Sequence, residues 1–496
     1  MGSLSYVCID CGLTGTKAVV ISSRGEELGS ALDKTDVVAR GDTNEITMDT
    51  QWRKTAGVIR EAIARAGMRA SDIAGVGASG HGGGMYPLDA NGKPVCNAFT
   101  SMDSRAQGIL DRWAREGVSC YDRTRHHPWA GQPIPQLRWL KENRQDLFRR
   151  IRWVLGAKDW VSFNLTGEPA AESTDASNSG FVNLLTGGYD PEILKAFGVP
   201  EVSGMLPALR RGHDVVGKVT PAAAEATGLP AGTPVIAGLY DVMACALGSG
   251  VYDVDKYSII AGTWNINTVF EGRLVDTAPS VKCSQGTDGS LYAYVESSAT
   301  SAGNLEWFVD RVIRAFTSEL SNDRIYQLIN TEVEKIGPAD SGVLYMPFLY
   351  RSHLSKSMDA SFYGIRAEHG AFHLLRAMME GVVFAHRRHL DVLTASGLSC
   401  RAAVLSGGAV NSPVWCRMFA DITGLTIEAA RASQAGALGV AICAAVGTGT
   451  FGGFPEAVGQ MVGKGKTYTP DAEVRETYQR KYAQFSRIID TLDAGE

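Results

Sequence analysis

The sequence predicts an α/β protein built as two similar domains facing one another across a cleft. Three observations carry this. Strand-like and helix-like patterns alternate along the first third of the chain, as in layered α/β domains. Two β-hairpins of like design, Ser5–Ser22 and Lys256–Val269, recur about 250 residues apart, which reads as two copies of one fold. The chain has 496 residues, too many for one ordinary domain of roughly 100–200 residues and enough for two large ones.

Each element follows from its local pattern. Ser5–Ser22 reads strand, Gly-rich turn, strand, and a further strand is expected near Glu27–Leu32. Residues 50–67 place Trp52, Val58, Ile59 and Ile63 at roughly helical spacing. A buried strand is expected at Ile73–Ala78, then a glycine turn and Met85–Leu88. Helices are expected near 104–116, 133–145 and 157–165. Val235–Leu239 reads as one strand, with a helix starting over Asp241–Leu247. In the second half, Ala402–Leu405 reads as a strand, Pro413 to about Thr423 as a helix, and Ser433 to Ala445 as a long apolar helix. The tail Asp471–Leu492 is helical and charged. No low-complexity linker divides the halves, and the boundary is placed near 248, giving domains 1–248 and 249–496.

Composition excludes several classes. Hydrophobic residues are 45% and charged residues 20%, which is globular usage and not that of a disordered or fibrous chain. The net charge of −5 does not suit a nucleic-acid scaffold or an anionic membrane surface. The N-terminus MGSLSYVCIDCG has no basic n-region and no long apolar h-region, and the apolar run around Ala435–Val446 falls short of the ~20 residues of a membrane span. The expected compartment is therefore the reducing cytoplasm. The nine cysteines are odd in number and scattered. Cys8 and Cys11 form a CxxC, but in a strand residues three apart point to opposite faces, so no redox pair is expected. The 56 glycines imply many tight turns and close backbone approaches.

Four motifs carry chemistry. Asp10-Cys11-Gly12-Leu13-Thr14-Gly15-Thr16-Lys17 is a hairpin turn of Gly and Thr, whose successive backbone N–H groups form a nest for phosphate oxygens. Asp10, at the end of its strand, is placed to hold Mg²⁺ through water. A plain hairpin with an acidic cap is the alternative. The second motif, Ala261-Gly262-Thr263-Trp264-Asn265, is the matching turn of the other half, and two such turns suit a triphosphate clamped between domains. In the third, Gly238-Leu239-Tyr240-Asp241, a strand end delivers a carboxylate that either caps a helix or accepts a proton from a substrate hydroxyl. The fourth is Leu405-Ser406-Gly407-Gly408-Ala409-Val410-Asn411-Ser412-Pro413. Its glycines let a flat ligand lie on the backbone, or it is a strand-to-helix turn with Ser412 as cap and Pro413 at the first helical position.

Two patterns are set aside. Gly75-Val76-Gly77-Ala78-Ser79-Gly80 fits the dinucleotide fingerprint, but His81-Gly82-Gly83-Gly84 follows where a helix must begin. Gly463-Lys464-Gly465-Lys466-Thr467 resembles the end of a Walker A loop, but its upstream glycine, Gly459, is one residue too far and no buried strand precedes it.

In co-linear order over nearly the whole chain, DCGLTGTKAVV, GVGASGHGGGMYPLDANGKPV, SMDSRA, ESTDASNSGF, VIAGLYDVMACALGSGV, YSIIAGTWN and AVLSGGAVNSPVWCRMFADITGL resemble the FGGY carbohydrate kinases. The resemblance implies two actin-like (ribonuclease H-like) domains around a deep catalytic cleft, with sugar mainly on the first and ATP with Mg²⁺ mainly on the second. By the same resemblance Asp241 is the general base and Asp10 the metal-side acid. Thr14, Gly15, Thr16 and Lys17 form the first phosphate turn, and Gly262 and Thr263 the second. Gly303, Gly407, Gly408 and Asn411 lie toward the nucleotide. The implied sugar pocket comprises His81, Gly82, Gly83, Asp103, Arg105, Trp129, Gln132 and Asp241. HGGG, NAFTSMDSRA and HPWAGQPIPQLRWLKEN look most like the L-xylulose kinase branch, with an erythritol kinase as the alternative. The Arg-Glu pair of glycerol kinases is absent. Such enzymes bind no nucleic acid or membrane and are often homodimers. An actin- or Hsp70-like ATPase switch is the competing class.

Overall fold

The computed structural model describes residues 4–317, 319–355 and 357–494. The first half is organised on a seven-stranded sheet. Its strands are β1 (Ser5–Cys11), β2 (Gly15–Ser22), β3 (Glu27–Lys34), β4 (Ile73–Gly80), β5 (Val215–Lys218), β6 (Pro234–Ile236) and β7 (Leu239–Tyr240). They run in the order β5-β6-β4-β1-β2-β3, with β7 also paired to β4. β1 is antiparallel to β2 and parallel to β4. The alternation of Val7, Ile9 and Cys11 with Tyr6 and Cys8 buries both faces of β1. Cys8 and Cys11 accordingly lie in different cores, and all nine cysteines are free.

Helices α1 (Met48–Ala66) and α2 (Ala157–Thr166) cover one face. Val58, Ile59 and Ala62 of α1 meet Trp160, Val161 and Leu165 of α2 above the sheet. A separate small core of Ile109, Trp113, Leu137, Leu140, Phe148 and Phe197 holds the segment that overhangs the sheet. The short α3 (Ser173–Asn178) follows, capped by the Glu172 side chain, and α4 (Asp241–Gly248) closes the half.

The second half repeats the plan. β8 (Lys256–Ala261) is antiparallel to β9 (Asn265–Glu271) and parallel to β12 (Ala402–Ser406). The full order is β10-β11-β9-β8-β12-β13-β14, with β10 Lys282–Gln285, β11 Tyr292–Ser298, β13 Thr426–Ala429 and β14 Thr467–Tyr468. Its main core lies under α5 (Gly303–Arg311), α6 (Asn322–Glu334), α7 (Ala371–Ala395) and α8 (Pro413–Thr423). Ser412 caps α8 and Pro413 opens it.

Two features depart from the sequence reading. Val235–Leu239 is not one strand: it breaks at Ala237-Gly238, where Gly238 takes φ +83°. A side chain there would place Cβ 1.9 Å from the Ala78 carbonyl oxygen, so only glycine permits the bend. Helix α9 (Ala435–Gly447), although in the second half of the chain, buries Leu438, Val440 and Ala441 against Tyr6, Val19 and Ile236 of the first sheet. An all-round apolar helix needs partners on every side, and here the first half supplies them. The tail helix α10 runs Arg475–Asp493. Among the described residues no helix is long and apolar enough to cross a membrane.

Candidate active site

Strand register builds the acidic wall. Asp10 stands opposite Ser79 in the β1–β4 ladder, and Leu239 and Tyr240 of β7 stand opposite Ser79 and Gly80. The ends of three neighbouring strands therefore present Asp10, Ser79 and Asp241 together. Ser79 Oγ donates to Asp10 Oδ1 at 3.2 Å. Asp241 is the first residue of α4, and its Oδ1 accepts from the Val242 N–H at 2.7 Å. Beside it, Val242 and Met243 pack with Phe270, Val295 and Val404 of the second sheet, so Asp241 stands where the halves meet. Both acids are raised from the ordinary carboxylate range. Removal from water is the main cause for each. Asp10 is then drawn back by the Ser79 hydrogen bond and by Lys17, its cross-strand neighbour. Asp241 is pushed further by the charge of Asp10. A carboxylate such as that of Asp10 is an oxygen donor for a hard divalent cation.

The first Gly-Thr turn closes with the Gly12 N–H on the Gly15 carbonyl at 3.0 Å. Thr14 is exposed, Gly15 and Lys17 are half-buried, and Thr16 is turned inward. Next to this turn the His81 N–H donates to the Cys11 carbonyl, which fixes the glycine loop. Gly82 lies against the Tyr240 ring, where a Cβ would come within 2.4 Å. Gly83, at φ +72°, lies against Trp129 and the Gly131 carbonyl. The loop thus joins the residue before Asp241 to Trp129. His81 is 5% exposed, with Nε2 3.4 Å from Tyr86 Oη and Nδ1 buried without a partner. Burial holds its imidazole down at about 4, so it is neutral near pH 7.

Asp103, Arg105 and Gln132 have protein partners. Asp103 accepts from the Asn44 N–H and from Arg105. Arg105 also reaches Glu45 and lies over the Phe99 ring at 3.7 Å. Gln132 Nε2 donates to the Asn178 carbonyl and to His126 Nε2. These three side chains are engaged by protein partners, whereas Gly82 and Gly83 lie beside His81 on one loop, with Trp129 against Gly83.

On the other side, the second turn carries Gly262 and Thr263. Gly407, at φ +88°, packs its Cα on the Ala261 carbonyl and the Gly262 nitrogen, and Gly303 packs on Thr263. Beyond them opens a cavity of about 600 Å³, lined by Gly408, Asn411, Ser412, Glu306, Tyr326 and Asn330 among others. That volume suits a nucleoside-sized ligand. Gly408 and Asn411 were legible in the sequence. Glu306, Tyr326 and Asn330 were not, because they come from α5 and α6, whose sequences show only ordinary helical patterning.

Two further polar clusters escaped the sequence reading. Lys158 is fully buried, with Nζ 2.7 Å from Asp159, 3.5 Å from Asp175 and 3.7 Å from Glu172. Burial pushes Asp175 up to about 7, against the pull of Lys158. Behind the second turn, Asn267 links His386 and His389, which in turn meet Ser301 and Ser298. Spacing gives no signal for either cluster.

Two like-folded halves, a carboxylate at their junction and a nucleoside-sized cavity define a two-domain phosphotransferase. Residues 5–248 match the N-terminal domain, and residues 257–448 the C-terminal domain, of the FGGY family of carbohydrate kinases. The chain belongs to that family and is a carbohydrate kinase. It is 34% identical over 492 residues to the L-xylulose/3-keto-L-gulonate kinase of Escherichia coli (strain K12), covering 98% of this chain and 97% of that one. It is also 34% identical to the probable L-xylulose kinase of Pasteurella multocida (strain Pm70), covering 99% of each. In fold it matches the xylulose kinase of Rhodospirillum rubrum, with a TM-score of 0.86 at 24% identity over 98% of this chain and 99% of that one.

Proposed function

We propose that this protein transfers the γ-phosphoryl group of ATP to a hydroxyl of L-xylulose or 3-keto-L-gulonate, with Asp241 as the general base. The observation that carries the reading is the position of Asp241 at the junction of the halves, beside Asp10 and the His81–Gly84 loop. A carboxylate raised above its ordinary range binds a proton well, so it can accept one from an attacking hydroxyl. Residues 1–248 hold the sugar: His81 braces the loop, Gly82 and Gly83 form a floor without side chains, and Trp129 closes one side. Residues 249–496 hold the nucleotide, with Gly408 and Asn411 lining the cavity and Gly407 packed on the second turn. The turns at Thr14–Lys17 and Gly262–Thr263 would face the phosphates with their backbone and threonine hydroxyls, the Gly262 N–H being itself held by the Trp264 carbonyl.

Asp10 is the residue that would hold Mg²⁺, which neutralises phosphate charge when bound. Phosphoryl transfer asks little covalent chemistry of the protein, so positioning and one proton acceptor account for most of the residues' work. A coupled assay for ADP release over L-xylulose, 3-keto-L-gulonate, L-ribulose, D-xylulose and erythritol tests the reading. The expected result is turnover with one of the first two at the highest kcat/KM. Sugar-independent ATP hydrolysis with no response to any of the five would refute it and favour an ATPase switch.

A further inference from the structure

Lys282 opens β10, the strand that brings the second half onto the wall of the sugar pocket. That strand is docked firmly: the Gln285 N–H donates to Ser177 Oγ at 2.9 Å, and Gln285 Nε2 to the Gly187 carbonyl at 3.3 Å. From this position Lys282 reaches across and sets Nζ 3.8 Å from the centroid of the Trp129 ring. Trp129 touches Gly83, and Gly82 touches Tyr240, the residue before Asp241. Contacts therefore run from Asp241 through Tyr240, the glycine loop and Trp129 to Lys282. The proton acceptor and the ammonium stand at opposite ends of the same loop.

The ammonium has no matching anion. Among the described residues no carboxylate lies within the 4.0 Å of an ion pair with Nζ, and its one polar contact is the Trp129 ring. The acid whose charge it feels is Glu296, which is hydrogen-bonded to His353 at 2.6 Å. Burial lowers the Lys282 ammonium to about 8, so most of it remains charged at pH 7. Its charge also helps to hold His126 neutral. Lys282 is only partly buried, so its unpaired ammonium stays within reach of a ligand, and a neutral ketose offers it no counter-charge. A sugar acid supplies one at the carbon farthest from a terminal hydroxyl, and with that hydroxyl at Asp241 the carboxylate falls toward Lys282.

We propose that Lys282 reads a substrate carboxylate and makes this kinase selective for keto-aldonates over neutral ketoses. The assignment rests on the kinase reading above. It predicts a charge-assisted hydrogen bond from Nζ to the carboxylate.

The test is the ratio of kcat/KM for 3-keto-L-gulonate to that for L-xylulose, in wild type, Lys282→Met and Lys282→Arg. Met keeps an unbranched apolar stem over Trp129 and removes the charge. The expected result is a ratio lowered about 10- to 100-fold in Lys282→Met, mainly through KM for the acid, and partly restored in Lys282→Arg. A ratio unchanged within about threefold would overturn the proposal, as would a wild type that turns over L-xylulose but not the acid. Calorimetric titration with L-gulonate needs no turnover and separates this inference from the kinase reading. Binding seen in wild type and lost in Lys282→Met supports Lys282 whatever the assay shows; no binding to wild type, or equal binding to both, counts against it.

Discussion

Asp241 and Asp10 illustrate how a single residue's chemistry is set by its neighbours. Among the described residues Asp241 has no ion-pair partner, and its Oδ1 accepts from the next residue's N–H. Replacing it with Asn preserves that contact and removes the proton acceptor. Asp241→Asn is expected to lower kcat by about 10²–10⁴, with the sugar KM held within a few-fold in steady-state assays. The pH dependence follows from the same geometry. Only the ionised carboxylate accepts a proton, and both burial and the Asp10 charge raise its pKa. Activity should therefore fall as pH drops through a point above the ordinary carboxylate range near 4. Asp10→Asn removes the neighbouring charge, so the acid limb of log(kcat/KM) against pH should move to lower pH, whatever the loss in amplitude. A limb that stayed in place would show that Asp10 does not influence the base.

At the scale of elements, two devices hold Asp241 in position: the bend at Gly238 and the buried cluster under α3. Ala at 238 would need φ +83° and would drive Cβ into the Ala78 carbonyl. Gly238→Ala is expected to cost about 1–3 kcal/mol in urea unfolding and to lower kcat, because β7 aims the base. The cluster has a different signature. Asp175 sits at about 7 in the folded protein against about 3.9 unfolded. The folded state therefore binds this proton more tightly. Its contribution to stability is full below about pH 4, declines as pH rises toward 7 and is absent above. Asp175→Asn should flatten that part of the melting-temperature profile between pH 5 and 8; an unchanged slope would assign it to other groups. These two devices also mark where the sequence stops being legible. The hairpins at Gly12–Thr16 and Gly262–Asn265 could be read because a Gly-Thr turn lies between alternating β-branched residues, all local information. The bend at Gly238 depends on the Ala78 carbonyl from a strand far back in the chain, and nothing between 235 and 239 shows it. Lys158, in AKDWVSFN, carries no local sign of burial; its burial depends on Glu172 and Asp175, which only the fold brings near. Asp103 and Arg105 were placed in the sugar pocket by resemblance, and their pairing with each other and Glu45 could be seen only in three dimensions.

For the whole molecule, the controlling feature is α9, a helix from the second half of the chain embedded in the core of the first. Where α9 crosses α4, both are stripped to glycine: a Cβ at Gly439 would lie 1.9 Å from the Ala244 carbonyl, and one at Gly248 1.8 Å from that of Ala435. Packed this closely, the two helices behave as one rigid unit. Farther out, β10 docks on α3 through Gln285 and Ser177, and the remaining contacts are lighter. Arg125 pairs with an exposed Asp276, and Tyr121 Oη lies 3.4 Å from the Thr277 carbonyl. Exposed ion pairs of this kind contribute at most about 1 kcal/mol. The close α4–α9 crossing is the expected pivot of a closing movement, in which the β10–α3 contact would have to slide or open, with the Gly12–Thr16 and Gly262–Asn265 turns on the two arms. The chemistry requires such movement, because a cleft left open admits water to compete with the sugar hydroxyl. Small-angle scattering should show a smaller radius of gyration with sugar and a non-hydrolysable ATP analogue together than with either alone, since only the pair bridges both arms. If the curves superimposed in all three states, the halves would be fixed as they stand, and exclusion of water would have to come from local movement of the His81–Gly84 loop.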